Sequence, residues 1–263
     1  MNNPIVKTKL PNIKNIILVA SGKGGVGKST VAAGLAMSLA MEGYATGLLD
    51  ADIYGPSIPT LFNLKGERPD SLTENGKQFI VPFTKFGIKL MSIGFFIESR
   101  QAIVWRGPRV SSGVSQLLTE TYWGELDYLI IDTPPGTGDI HITLLQNFET
   151  SGVIVVTTPQ HIALADVKKA VEMYNDKQIG IPVLGVVENM AWFTPFVHPD
   201  EKYFLFGKGG GEEIAREFSI PLLAQIPINE KLCESCDHGN MNELFDDIAI
   251  KSAFEQLFKK IVK

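Results

Sequence analysis

Apolar residues along this chain fall into short continuous runs, separated by longer stretches in which apolar and polar positions alternate at helical spacing. The runs at 16–20, 45–49, 127–131, 152–156, 182–187 and 221–227 are bounded by Gly, Pro, Asn or Asp. Such runs predict strands buried on both faces. Between them, 31–41, 110–121, 162–175 and 212–218 read as helices, with a short one around 60–62. Alternating strands and helices predict a doubly wound α/β fold, a mostly parallel sheet with helices on both faces. Residues 65–77 are polar and turn-rich and read as an exposed excursion. Residues 79–82 and 88–93 read as two strands forming a hairpin at a sheet edge.

The ends differ from the middle. Residues 1–15 are polar and broken by proline, an N-terminal extension with no secretory signal. Residues 241–263 are amphipathic, with Leu244, Phe245, Ile248, Leu257, Phe258 and Ile261 apolar. A membrane-surface helix has this pattern too, but the spacing suits an ordinary core face, so the tail is read as a helix docked on the sheet. The whole chain, 1–263, is read as one domain.

The chemistry concentrates after the first strand, where Gly22-Lys23-Gly24-Gly25-Val26-Gly27-Lys28-Ser29-Thr30 joins strand to helix. Glycines let the backbone curl so that successive N–H groups face an anion, and the following helix adds its positive end. Lys28 can then reach β/γ-phosphates and the Ser29 hydroxyl can ligate Mg²⁺. Asp50 and Asp52 follow the second strand and, spaced by two, share a face if the strand continues. One suits Mg²⁺ waters, read as Asp50; the other, Asp52, suits orienting the attacking water. Asp132 ends the apolar strand 127–131 in the Walker B manner and anchors Mg²⁺ waters from beneath. The stretch 133–139 then faces the γ-phosphate with its backbone. Arg106 and Arg109 read equally as surface charges and as ligand contacts. Asn189, at the end of another strand, either hydrogen-bonds adenine or caps the strand. No Asn-Lys-x-Asp follows, so ATP is favoured over GTP.

Charge and cysteine content narrow the partners. The 24 Lys+Arg against 29 Asp+Glu give a net charge of −5, which argues against a general nucleic-acid binder. No apolar run approaches the ~18–20 residues a membrane span needs. The two cysteines, Cys233 and Cys236, are too few for a disulfide framework, and the reading is cytoplasmic. Cys-Glu-Ser-Cys, read as a loop, suits one face of an iron–sulfur or zinc site, or is a pair of free thiols. A redox pair is disfavoured, because no strand is read ahead of the motif as in thioredoxin-like sites.

Two resemblances add to this. Gly22 to Thr30 resembles the deviant phosphate loop of ATPases of the MinD/ParA type, which implies that Lys23 reaches phosphates across an ATP-sandwich homodimer. The strings at 50–59, 105–108, 131–139, 158–160 and 188–190 resemble the Mrp/ApbC iron–sulfur carrier ATPases. That resemblance implies slow, Mg²⁺-dependent ATP hydrolysis and transfer of a [4Fe–4S] cluster, bridging a dimer, to apo-proteins. Many bacterial members carry an extra N-terminal domain, and members that hold a cluster usually have Cys-x-x-Cys shortly after the Asn-Met segment. Here that place reads Trp192 to His198, without cysteine, so Cys233 and Cys236 stand as the ligands available. The alternative is a MinD/ParA-like positioning or partner-binding switch without a cluster.

Overall fold

The computed structural model describes residues 7–96, 107–176, 179–195, 197, 198 and 200–262. In chain order the elements are β1 (Ile13–Ser21), α1 (Lys28–Met41), β2 (Thr46–Asp50), α2 (Ile58–Leu61), β3 (Ser71–Glu74), β4 (Lys77–Ile80), β5 (Phe83–Lys85) and β6 (Ile88–Ser92). Then come α3 (Gly107–Glu120), β7 (Leu126–Asp132), α4 (Asp139–Asn147), β8 (Gly152–Thr157), α5 (His161–Asn175) and β9 (Val183–Phe193). The chain closes with α6 (Gly210–Glu217), β10 (Leu222–Ile228), α7 (Glu230–His238), a 3-10 helix (Met241–Asp246) and α8 (Ile248–Ile261).

Among the described residues one sheet has the order β10-β9-β8-β1-β7-β2-β6-β5. Its pairings are parallel except for the edge strand β5, which runs antiparallel to β6. The buried runs occupy the centre: Leu18, Val19, Ala20, Leu48, Leu49 and Ile130 are wholly covered. Strands with both faces buried need apolar residues at every position, which is why they read as runs. Helix α1 is apolar nearly all round because β-strands lie under one side and α8 over another. At their contact the Phe254 ring occupies the space a Cβ on Gly34 would need, its Cδ1 only 2.9 Å from that point.

Register decides where the chemistry sits. Val19 of β1 and Asp50 of β2 both pair with Asp132 of β7. The ends of three central strands therefore meet at the carboxyl edge of the sheet, where ligands of open parallel sheets bind.

Several expectations are corrected. The 65–77 excursion contains β3, and β3 pairs with β4 in a separate two-stranded antiparallel sheet. The 79–82 run is thus not the partner of 88–93; β6 lies parallel to β2 and takes its hairpin partner from β5. Strand β1 starts at Ile13, inside the expected extension, and β9 continues through Asn189 to Phe193. The tail is a 3-10 helix followed by α8, not one helix. Asp247 caps α8 by accepting from Ala249 and Ile250 N–H, and this phase leaves Ile248 85% exposed while Ile250, Ala253, Phe254 and Leu257 are buried. Burying a Phe or Leu side chain contributes roughly 1.5–3 kcal/mol, so docking on the protein accounts for the helix. Among the described residues no helix is long and apolar enough to cross a membrane. Arg106 lies outside the described residues, as does the side chain of Arg109.

Candidate functional site

The loop between β1 and α1 has the shape its glycines allow. Gly27 sits at φ +79, and the Asn189 side chain fills the position its Cβ would take. Gly22 packs flat on α5, where an added Cβ would stand 2.6 Å from Asp166 O and Val167 N. The Ser21 hydroxyl donates to Lys23 O at 2.8 Å, and Asn189 Nδ2 donates to Val26 O at 2.9 Å. Asn189 does not cap a strand end, since β9 runs on to Phe193; its amide nitrogen braces the loop from behind. No side chain caps the start of α1, so its first N–H groups face the cleft. The cleft measures about 330 Å³ and is lined by Lys23, Lys28, Ser29, Thr30, Asp52 and Pro135 among others.

Lys28 is buried, its ammonium 2.5 Å from Asp132 Oδ1 and 3.7 Å from Asp52 Oδ2. Lys23 is half-buried at the cleft and forms no ion pair with a described residue. Asp50 and Asp52 do not share a strand face, since β2 ends at Asp50 and Asp52 lies in the turn beyond it. Asp50 is committed to that turn: its Oδ1 accepts from Asp52 N–H at 3.1 Å, and its Oδ2 from Ile58 N–H at 3.1 Å and the Ser92 hydroxyl at 3.0 Å. Asp52 Oδ1 accepts from Tyr54 N–H at 3.1 Å, leaving Oδ2 toward Lys28.

Two carboxylates, Asp52 and Asp132, thus share one buried ammonium, and Asp50 lies behind them. Burial, and secondly the charge of Asp132, push the Asp50 carboxyl up to about 8. Burial also raises Asp132, against the opposing pull of Lys28 and of the Ser29 hydroxyl. Asp132 Oδ2 is buried with no hydrogen-bond partner at normal distance. An orphaned carboxylate oxygen beside a serine hydroxyl, in a site with excess negative charge, fits a hard divalent cation such as Mg²⁺. Among the described residues no three acidic, His or Cys groups cluster to hold a metal alone; Mg²⁺ ordinarily completes its shell with phosphate oxygens and water.

The cysteines are not in a loop. Cys233 and Cys236 stand one turn apart on α7, which Asn229 caps by accepting from Leu232 N–H. Strand β10, the expected 221–227 run, leads almost directly into this helix, so the ground for disfavouring a redox pair does not hold. Cys233 is exposed; Cys236 is half-buried, its thiol raised mainly by that burial, with Sγ 3.8 Å from Thr30 Oγ1. Helix α7 also packs on α2, the element whose first N–H Asp50 holds. The cysteine pair and the phosphate loop are therefore neighbours in space. Where relatives were expected to carry cysteines, β9 ends and Phe193 pairs with Tyr203 through N–H···O bonds of 2.8 Å each way, with the Lys202 ammonium over Trp192. His198 lies 3.7 Å from Glu201 at the surface and meets no thiol.

Residues 12–262 match the sequence model of the ParA group described as NUBPL iron-transfer P-loop NTPases. The chain belongs to this family. This P-loop NTPase is 53% identical to the iron–sulfur cluster carrier protein of Aquifex aeolicus over 234 residues, 89% of the chain and 63% of that protein. It is 47% identical to the carrier of Escherichia coli, over 86% of the chain and 60% of that protein. The chain thus spans somewhat less than two thirds of these carriers' length. A nucleotide-binding protein of Archaeoglobus fulgidus, solved with ADP, superposes with a TM-score of 0.78 at 39% identity, covering 93% of both chains. The MinD cell-division ATPase of Pyrococcus furiosus shares the fold, with a TM-score of 0.66 at 22% identity over 94% of this chain and 98% of that one.

Sequence reasoning missed two buried groups beside the cleft. Ser92 supports Asp50, and His141 of α4 contacts the Pro134 carbonyl of the loop after Asp132. A histidine inside the otherwise apolar Ile140-His141-Ile142 was the available signal for the second.

Proposed function

We propose that this chain binds Mg-ATP in the cleft at the end of β1, hydrolyses it slowly, and uses that cycle to load and transfer an iron–sulfur cluster to apo-proteins. The observation that carries the reading is the convergence of Lys28, Asp52 and Asp132 on a glycine loop that opens an uncapped helix. Carrier relatives at about half identity over most of the chain support the cargo.

In this reading Gly22 to Thr30 cradle the phosphates and Lys28 leaves its carboxylate partners to neutralise phosphate charge. Ser29 and Asp132 hold Mg²⁺, with Asp50 fixing the turn that presents Asp52. Mg²⁺, when bound, neutralises charge on the phosphates. Asp52 Oδ2 orients the attacking water. Lys23, which forms no ion pair with a described residue, reaches phosphates of a second copy in a homodimer. Asn189 bears on ATP through the loop it braces, with its amide near the base as a further role. Changing Lys28 to Ala is expected to abolish turnover with the fold intact; turnover at the wild-type rate overturns the assignment.

The cargo is assigned to Cys233 and Cys236. Thiolates are the ligands, so uptake improves with pH as the half-buried Cys236 ionises. One pair cannot complete the four thiolates of a [4Fe–4S] centre, so the cluster bridges two chains. Anaerobic reconstitution with iron and sulfide counting tests this: one cluster per dimer is expected, and none in the double Cys→Ser protein. Equal iron uptake by that variant removes the thiols from the site. A second reading, an ATP-dependent positioning switch without a cluster, draws on the absence of thiol from the Trp192–His198 stretch. ATP-dependent co-sedimentation with liposomes or DNA, without iron uptake, favours it.

A further inference from the structure

A buried polar chain runs from the loop after Asp132 into α5. His141 in the first turn of α4 and Tyr174 near the end of α5 are both 0% exposed. His141 Nε2 lies 2.8 Å from the Pro134 carbonyl, and Nδ1 lies 2.8 Å from the Tyr174 hydroxyl. A carbonyl only accepts, so Nε2 carries the proton; Nδ1 then accepts and the Tyr174 hydroxyl donates. Both ring nitrogens are used, and both neighbours are satisfied, only in this neutral tautomer.

What the ring holds is the loop facing the phosphates. Its start is tied to β1, since Thr133 N and Oγ1 donate to Val19 O at 3.1 and 2.9 Å. Gly136 N donates to Ser21 O at 2.8 Å. Between these ties stand Pro134 and Pro135, which have no N–H to offer. The Pro134 carbonyl is the remaining handle on that span, and the Pro135 ring borders the phosphate cleft. At the far end, Tyr174 belongs to the helix whose Asp166–Val167 backbone backs Gly22. One helix thus supports the phosphate loop directly and the Asp132 loop through His141.

We propose that His141 is a positioning residue for nucleotide hydrolysis: its ring clamps the Pro134 carbonyl, sets the Pro134–Pro135 peptide, and holds residues 135–138 in the conformation that meets the terminal phosphate. The proposal rests on reading the cleft as an ATP site. It separates binding from turnover, because the His141 ring bonds Pro134 and Tyr174 and no residue of the cradle at Gly22 to Thr30.

The test compares His141→Leu, which removes both bonds, with His141→Gln, whose amide can donate to Pro134 O and accept from Tyr174. Because a ~1 Å misplacement can cost roughly 10²-fold in rate, His141→Leu is expected to lower kcat at least about tenfold with ADP affinity changed less than about threefold. His141→Gln is expected to recover most of that loss. Amide exchange at Thr137 and Gly138, with ADP bound, is expected to speed up in the Leu protein and not in the Gln protein. A Leu protein that melts earlier yet turns over at the wild-type rate overturns the proposal, leaving a structural role. So does a Gln protein as slow as the Leu one. If the Leu protein does not fold, Tyr174→Phe frees the ring on one side, and an unchanged kcat in that variant overturns the proposal. If wild type hydrolyses no ATP, the ATPase reading has failed instead, and wild-type exchange rates at 137–138 in His141→Leu would then refute the clamp itself.

Discussion

Gly22→Ala tests whether the phosphate loop is held by steric contact with α5. The Ala methyl would stand 2.6 Å from Asp166 O and Val167 N, both helix backbone atoms that cannot rotate away. Ordinary contact begins near 3.4 Å, so either the loop or α5 must move by close to an ångström. Overpacking of this kind costs about 1–3 kcal/mol. Gly24→Ala is the internal control: its methyl would meet only Pro135 Cγ, at 3.9 Å, and its φ is not positive. Gly25→Ala meets nothing within 4 Å but sits at φ +80, so it carries only the left-handed penalty of about 1–2 kcal/mol. Urea unfolding of the three variants without nucleotide gives the stabilities, provided m is unchanged. ADP titration then reads the cradle. Gly22→Ala should lose stability and ADP affinity together, Gly25→Ala mainly stability, and Gly24→Ala stability by less than about 0.5 kcal/mol. A Gly22→Ala protein as stable as wild type, with ADP affinity intact, would refute the packing argument.

Two further outcomes follow from charges. His141 is held neutral by burial, its pKa pushed down to about 4 from 6.5, so the unfolded chain takes up a proton the folded one refuses. Its contribution is lost as pH falls through 6.5 towards 4, by roughly 3 kcal/mol, whereas Asp50, pushed up to about 8, makes stability fall as pH rises from about 4 to 8. Urea stabilities of wild type and His141→Gln at pH 5, 6 and 7 separate the two: the Asp50 slope is common to both, so wild type should lose stability relative to His141→Gln as pH falls from 7 to 5, and parallel curves count against a neutral buried ring. Lys23→Ala should bind nucleotide as a monomer but lose turnover and ATP-dependent dimerisation. An unchanged dimer fraction by sedimentation with a non-hydrolysable analogue returns Lys23 to the status of a surface charge.

Where function depends on local covalent pattern, the sequence was readable. The glycines, Lys28 and Ser29 stand in one short contiguous motif between a strand and a helix, and Asp132 is marked by its place at the end of an apolar strand. Pairing partners were less legible, because β3, β4 and β5 are three or four residues long and little in their alternation says which neighbour each will take. The helical state of Cys233 and Cys236 was signalled by Asn229 at its start and Gly239, at φ +73, at its end, but Cys-Glu-Ser-Cys-Asp has weak helix propensity. The brace from Asn189 to the phosphate loop was not legible, because Val26 lies 163 residues away in sequence. Contacts of that range, like the Thr30–Cys236 approach, leave no local trace.

The place of β1 in the sheet also governs how the chain can be made. Its two neighbours are β7 and β8, and its first partner pair joins Ile13 to Leu126. Synthesis at ~5–20 residues per second delivers Leu126 roughly 6–23 s after Ile13. Through that interval Ile16 to Ala20, an apolar segment with high strand propensity, leaves the ribosome with no strand to receive it. The element that carries the phosphate loop is therefore left unpaired until much of the chain has been made. Shielding by a chaperone that holds short apolar segments, released once β7 emerges, would favour productive folding of this chain.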